Sequence, residues 1–150
     1  MICLEAPNYQ YDEIRVRGEP RRLFLGGGIT GCEEWQIEVL KLLQNTNLIV
    51  FNPRRRNFEI SPENEFVQIT WEHFHLQIAD AILFWFSHET VQPIVLFELG
   101  KWYQHKPVFV GVHPDYPRKL NVEVQLSLDT KIPIVYTLPD LIGQVKDWSK

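Results

Sequence analysis

Apolar residues come along this chain in short dense runs separated by longer stretches in which they recur at helical spacing. Arg22-Leu23-Phe24-Leu25 stops at Gly26-Gly27-Gly28, which predicts a strand entering a tight turn. Leu48-Ile49-Val50-Phe51 is a second run, ended by Asn52-Pro53, and residues 80–86 are a third, apolar throughout after Asp80. A run without alternation is a strand covered on both faces. Residues 107–112 and 133–136 predict a fourth and a fifth strand. Trp35, Val39, Leu42 and Leu43 mark a helix over residues 33–44, and further helices are predicted over 65–79, 93–104, 121–129 and 140–148. Strand and helix alternate five times, which predicts an α/β fold: a three-layer α/β/α sandwich with a five-stranded parallel sheet. Residues 1–21 fall outside this alternation and read as an irregular or β-like extension, so residues 1–150 form one expected domain.

The helix over 65–79 has two apolar sides. Val67, Trp71, Phe74 and Ile78 make one stripe, and Ile69 and Leu76 lie on roughly the opposite side, with Glu72 between them by angle. A helix apolar on two sides is sandwiched, and the second neighbour expected here is another subunit.

Composition narrows the function. A chain of 150 residues with 45% hydrophobic and 23% charged residues can bury a core. A net charge of -4 and a pI near 5.7 argue against a protein that holds a nucleic acid polymer by its phosphates. Arg54-Arg55-Arg56, the only basic run, reads as a solvated loop, with a phosphate contact as the alternative. Cys3 and Cys32 give neither a disulfide framework nor metal-ligand spacing. No apolar stretch reaches the roughly 18 residues of a membrane span, and no signal peptide opens the chain, so a cytoplasmic setting is expected. His73 and His75 point about 200° apart on a helix and cannot share an ion. Neither a metal nor another cofactor is expected.

Glu98 is a lone carboxylate in the run Val95-Leu96-Phe97-Glu98-Leu99-Gly100. Such a charge must be desolvated or aimed into a cavity. The pattern of strand, loop and helix puts it in the first turns of a helix beyond the carboxyl end of the central strand, where open α/β sheets build their sites. Gly26-Gly27-Gly28-Ile29-Thr30-Gly31 lets backbone approach a ligand closely or simply makes a tight turn. It is not a dinucleotide fingerprint, since Phe51-Asn52-Pro53 stands where the acidic residue should be, and it lacks the Lys-Ser/Thr pair of a P-loop.

Several segments occur in a telling order: Leu23-Phe24-Leu25-Gly26-Gly27-Gly28, Ala79-Asp80-Ala81-Ile82 and Phe97-Glu98-Leu99-Gly100. Glu72 precedes Asp80 by eight positions, and Asn121 follows Pro117-Arg118-Lys119-Leu120. Over about residues 23–128 the chain thereby resembles the nucleoside 2-deoxyribosyltransferase family. The resemblance implies a flavodoxin-like sheet, transfer of a 2-deoxyribosyl group between nucleobases, a place in nucleotide salvage, and a homo-oligomer with its sites at the subunit interface.

It makes Glu98 the nucleophile, expected to stay ionised through the helix dipole. Glu72, at the position of a family aspartate, becomes the candidate proton donor; a solvated helical glutamate is its other reading. Gly26, Gly27, Gly28, Asp80, Gln92 and Asn121 are the expected substrate-binding residues. Asp80 would cap or orient, and Asn121 would reach the neighbouring subunit's site. Two positions depart from the family: Phe24 replaces a tyrosine that steadies the nucleophile, and Gln92 replaces a base-reading aspartate with an amide, which can still pair with a base but in a different donor-acceptor pattern. Two alternatives stand beside the transferase: an N-glycoside hydrolase of nucleotide 5′-monophosphates, and a catalytically silent nucleotide-binding module.

Overall fold

Ala81–Phe86 is buried along its whole length and is one of the two central strands of the sheet, as a run without alternation requires. The computed structural model describes residues 1–9 and 20–150. Among these the elements follow as β1 (Ile2–Glu5), β2 (Arg21–Gly27), α1 (Trp35–Leu43), β3 (Leu48–Asn52), α2 (Pro62–Ile78), β4 (Ala81–Phe86), α3 (Pro93–Trp102), β5 (Val108–Val112), α4 (Lys119–Asp129), β6 (Ile134–Val135) and α5 (Leu138–Ser149). The strands are all parallel and lie in the order β1-β3-β2-β4-β5-β6. From β3 to β6 this is the doubly wound, flavodoxin-like order.

Among the described residues the sheet has six strands rather than the five expected. The extra one, β1, pairs with β3 from Ile2 opposite Ile49 to Glu5 opposite Asn52. Four residues carry too short a pattern to declare a strand, even with the turn residues Pro7-Asn8 behind them. Residues 10–19 of the expected extension lie outside the described residues.

Side chains leave β4 alternately. Ala81, Leu83 and Trp85 join a core with α1 and α5, while Ile82, Phe84 and Phe86 join one with α2, α3 and α4. These are the two outer layers of the sandwich. None of the helices among the described residues is long and apolar enough to cross a membrane.

The helix α2 begins earlier than its apolar pattern predicts because Ser61 caps it, its side chain accepting the Asn64 N–H at 3.2 Å ahead of Pro62. At its other end Lys106 Nζ donates to the carbonyls of Leu76, Gln77 and Ala79, where a cation also meets the favourable end of the helix dipole. The face of α2 differs from expectation. Trp71, His75 and Leu76 are buried, whereas Val67, Phe74 and Ile69 are exposed. Leu76 therefore belongs to the core and not to a second apolar side shared with Ile69. The physical reason is that α2 turns Gln68 and Glu72 toward the cleft that borders it, which rotates the helix away from its most apolar stripe.

Candidate active site

From β2 the chain passes to β3 on one side and then crosses to β4 on the other. The carboxyl ends of β2 and β4 consequently border a crevice that no connecting segment among the described residues fills, the usual ligand position in such sheets. A cleft of about 960 Å³ opens there. Gly26, Gly27 and Gly28 form its floor, the segment from Thr90 to Val95 one side, and α2 and α3 bring Gln68, Glu72 and Glu98 to it.

The three glycines are required by close packing. A Cβ on Gly26 would stand 2.8 Å from the Phe84 ring, one on Gly27 2.4 Å from the Trp35 ring, and one on Gly28 2.4 Å from Cys32 Sγ. Left-handed backbone occurs instead at Gly31, with φ 72°. Trp35 Nε1 donates to the Gly28 carbonyl at 2.9 Å, fixing the turn from below.

Gln92 joins the two strand ends. Its Oε1 accepts the Gly28 N–H at 2.9 Å, and its Nε2 donates to the carbonyl and the hydroxyl of Ser87 at 2.8 and 3.0 Å. The residue is buried and holds φ 52°, a strained conformation for a side chain of this size, sustained by these three bonds. Gln92 thus lines the cleft, but both of its amide donors are engaged within the protein and are not presented to a base.

Glu98 is the sixth residue of α3, half-buried in the second turn, and the first turn holds no acid. The dipole fades within the first turn. The ionised state expected from it is therefore not what its surroundings favour. Burial, and then the charge of Glu72, push the Glu98 carboxyl up to about 8, with Lys101 opposing. Burial likewise raises Glu72, opposed by a 2.7 Å hydrogen bond from Gln68 Nε2 and by the Arg55 charge. Gln68 Nε2 also donates to the Pro53 carbonyl at 2.7 Å, so Glu72 is held by a group that is itself held. Both carboxyls thus resist ionisation, and a charge on Glu72 makes ionisation of Glu98 harder still.

Of the basic run, Arg56 is solvated as expected, while Arg54 and Arg55 are not. Arg54 Nη2 donates to the carbonyls of Ile29, Cys32 and Glu33 at 2.9, 3.0 and 3.0 Å and ties the loop after β2 to the loop after β3. Arg55 lines the cleft, and Arg56 is exposed. Gln68 is not singled out by the sequence pattern, and Arg55 is marked there only as one of a basic run whose alternative reading is a phosphate contact. The spacing of Gln68 one helical turn before Glu72 is the signal that could have found it.

Two expected site residues stay apart from this group. Asp80 lies at the amino end of β4, where Arg22 Nε and Nη2 grip it at 3.1 and 2.9 Å and the Arg22 N–H donates at 2.7 Å. Burial works to raise its pKa, but the Arg22 bonds prevail and hold it below the usual carboxylate range. Asn121 is exposed in the first turn of α4 and does not line the cleft of its own chain. Phe24 is buried beneath the cleft, its ring 6.3 Å from that of Trp71.

A protein-family model described as nucleoside 2-deoxyribosyltransferase like matches residues 20–116. That span contains Gly26 to Gly28, Glu72, Asp80, Gln92 and Glu98 and ends before Asn121. None of the curated proteins compared matches the chain.

Proposed function

The chain belongs to the nucleoside 2-deoxyribosyltransferase-like family, and from that premise we propose that it cleaves or exchanges the N-glycosidic bond of a (deoxy)nucleoside through a glycosyl ester on Glu98. The observation that carries the reading is the pair Glu72 and Glu98 in one cleft, each resisting ionisation. A retaining displacement needs one carboxylate and one carboxylic acid at its start, and a pair sharing a proton meets that requirement with the proton on Glu72.

In the first half, a Glu98 oxygen adds to C1′ and the C1′–N bond breaks. Its electron pair stays on the base nitrogen, which takes the Glu72 proton or one equivalent to it by tautomerism. In the second half, the nitrogen of an acceptor base or a water oxygen adds to C1′. The ester C–O bond breaks, Glu98 returns as carboxylate, and Glu72 recovers the proton of the incoming group.

The same reading includes an oligomer. Ile69 on α2 and Ile94 and Phe97 on α3 line the cleft yet are 63%, 64% and 67% exposed. Leu120, Val124 and Leu128 form an exposed stripe on α4 beside Asn121. Exposed apolar surface of this kind marks subunit contacts, and it supports a neighbouring copy that closes the cleft and lends it Asn121. The free thiols Cys3 and Cys32 suit a cytoplasmic setting.

Glu98→Gln tests the chemistry. It should keep the fold and lose turnover of nucleosides by orders of magnitude, because an amide of the same shape is a poor nucleophile. Activity within about tenfold of the parent would overturn the reading.

A further inference from the structure

Arg55 stands in the loop between β3 and α2, on the wall of the cleft, with its guanidinium 5.0 Å over the ring of Phe58. Stacking of this kind fixes the plane of the group but satisfies none of its in-plane N–H donors. Its Nε and Nη2 are buried and meet no hydrogen-bond acceptor among the described residues. No carboxylate among those residues lies within ion-pair distance of it. A cation stripped of water on one edge, with the Glu72 charge acting on it only from beyond ion-pair distance, is costly unless that edge serves a ligand.

The same chain shows what this edge holds when it is occupied. Arg22 uses Nε and Nη2 to grip the two oxygens of Asp80 side by side. Two parallel N–H bonds to two oxygens of one anion are the geometry for which a guanidinium is preorganised. The neighbouring Arg54 is different, since its Nη2 is spent on three carbonyls. Of the two, Arg55 is the one that keeps a whole edge for something in the cleft.

We propose that Arg55 forms an oxyanion subsite of the cleft and that the substrate is a nucleoside 5′-monophosphate, its phosphate held by the Nε–H and Nη2–H edge. The nucleoside half of this assignment rests on the N-glycosidic reading above. A carboxylate on the base would offer the same two oxygens; phosphate is chosen because it carries the larger charge and Lys101 adds a second cation to a cleft that Glu65, Glu72 and Glu98 also line. The volume, near the upper end of the roughly 300–1,000 Å³ usual for small-molecule sites, accommodates a nucleotide.

Calorimetric titration with 2′-deoxynucleoside 5′-monophosphates and with their parent nucleosides tests the subsite in the full chain and in R55Q and R55K. The parent protein should bind a monophosphate at least about tenfold more tightly than its nucleoside. R55Q should bring the monophosphate down to the level of the nucleoside. R55K should lose most of the preference, because an ammonium keeps the charge but offers no parallel pair of donors. Circular dichroism identifies a variant that has failed to fold, and if R55Q does so the R55K result decides. Equal affinity of nucleotide and nucleoside for the parent protein overturns the proposal, as does a folded R55K or R55Q that keeps the full preference. An Arg55-dependent preference for a nucleoside with a base carboxylate over the monophosphate overturns the choice of phosphate. Glu98-dependent turnover of nucleosides with no phosphate advantage removes the subsite alone. Arg55-dependent binding of monophosphates without bond cleavage removes the glycosidic reading alone.

Discussion

Glu72 on α2 raises the pKa of Glu98 on α3 across a shared cleft, second only to the burial of Glu98 itself, and together the two influences bring it to about 8. The helices that carry these residues lie on the same face of the sheet, joined through the core that contains Trp71, Leu76, Val95 and Leu99. For the nucleophile of the proposed reaction, a neutral resting state avoids placing a bare charge among Ile69, Ile94 and Phe97. Transfer of one proton to its partner is then enough to prepare it.

Removing the like charge should show this coupling directly. In Glu72→Gln the Glu98 carboxyl should titrate at lower pH than in the parent, while burial keeps it above the usual carboxylate range. Carbon-13 chemical shifts of labelled glutamate, followed from pH 4 to 10, measure it. An unchanged Glu98 titration would show that the two carboxyls do not sense one another.

The raised pKa also has a thermodynamic sign. Glu98 binds its proton more tightly folded than unfolded, so between the ordinary value of 4.5 and about 8 the folded state holds more protons. Its contribution to stability is full below that window and is lost as pH rises through it. Glu98→Gln has no proton to lose, so its melting temperature should overtake that of the parent as pH rises, by on the order of several degrees at pH 9 relative to pH 5. A difference in melting temperature that stays constant from pH 5 to 9 would remove the strained carboxyl from the account.

Much of the fold was legible because β2, β3 and β4 are buried on both faces and carry unbroken apolar runs. Glu98 was legible for the converse reason, as a charge interrupting such a run. The orientation of α2 was not. Its inward face alternates apolar residues with Gln68, Glu72 and His75, so hydrophobic periodicity points to Val67 and Phe74, which the fold leaves exposed. Gln92 reads as a base contact until the structure brings Gly28 and Ser87 to it. A hydrogen bond between residues 64 positions apart leaves no local trace. The basic run was legible as either a solvated loop or a phosphate contact, but not which arginine would face the cleft, because a run of three looks uniform although Arg54, Arg55 and Arg56 meet three different surroundings.

His75 should make the protein acid-labile. Its ring is buried against Trp71 and Phe51, with Nδ1 2.7 Å from the Trp71 carbonyl. Burial pushes its pKa down to about 4 from 6.5, with that backbone bond opposing. The unfolded chain therefore takes up a proton that the folded chain refuses, and stability present above pH 6.5 is lost as pH falls toward 4. The loss should approach about 3 kcal/mol across the window. Urea unfolding at stepped pH should show this slope in the parent and a much flatter one in His75→Phe. The same slope in both proteins would assign the acid lability to other groups.

Asn121 provides the test of a shared site. It lies outside its own cleft, on a helix whose exposed stripe of Leu120, Val124 and Leu128 has no covering element among the described residues. If that stripe packs on a second copy so that Asn121 completes the neighbour's cleft, Glu98→Gln and Asn121→Ala proteins should each be impaired alone. Mixed and allowed to exchange subunits, they should regain part of the parent activity, because each mixed pair assembles one cleft with Glu98 from one copy and Asn121 from the other. Light scattering on the mixture establishes that the subunits associate. A monomer with full parent activity, or a mixed oligomer no more active than its parts, would place Asn121 outside the reaction, as a surface residue near the start of α4.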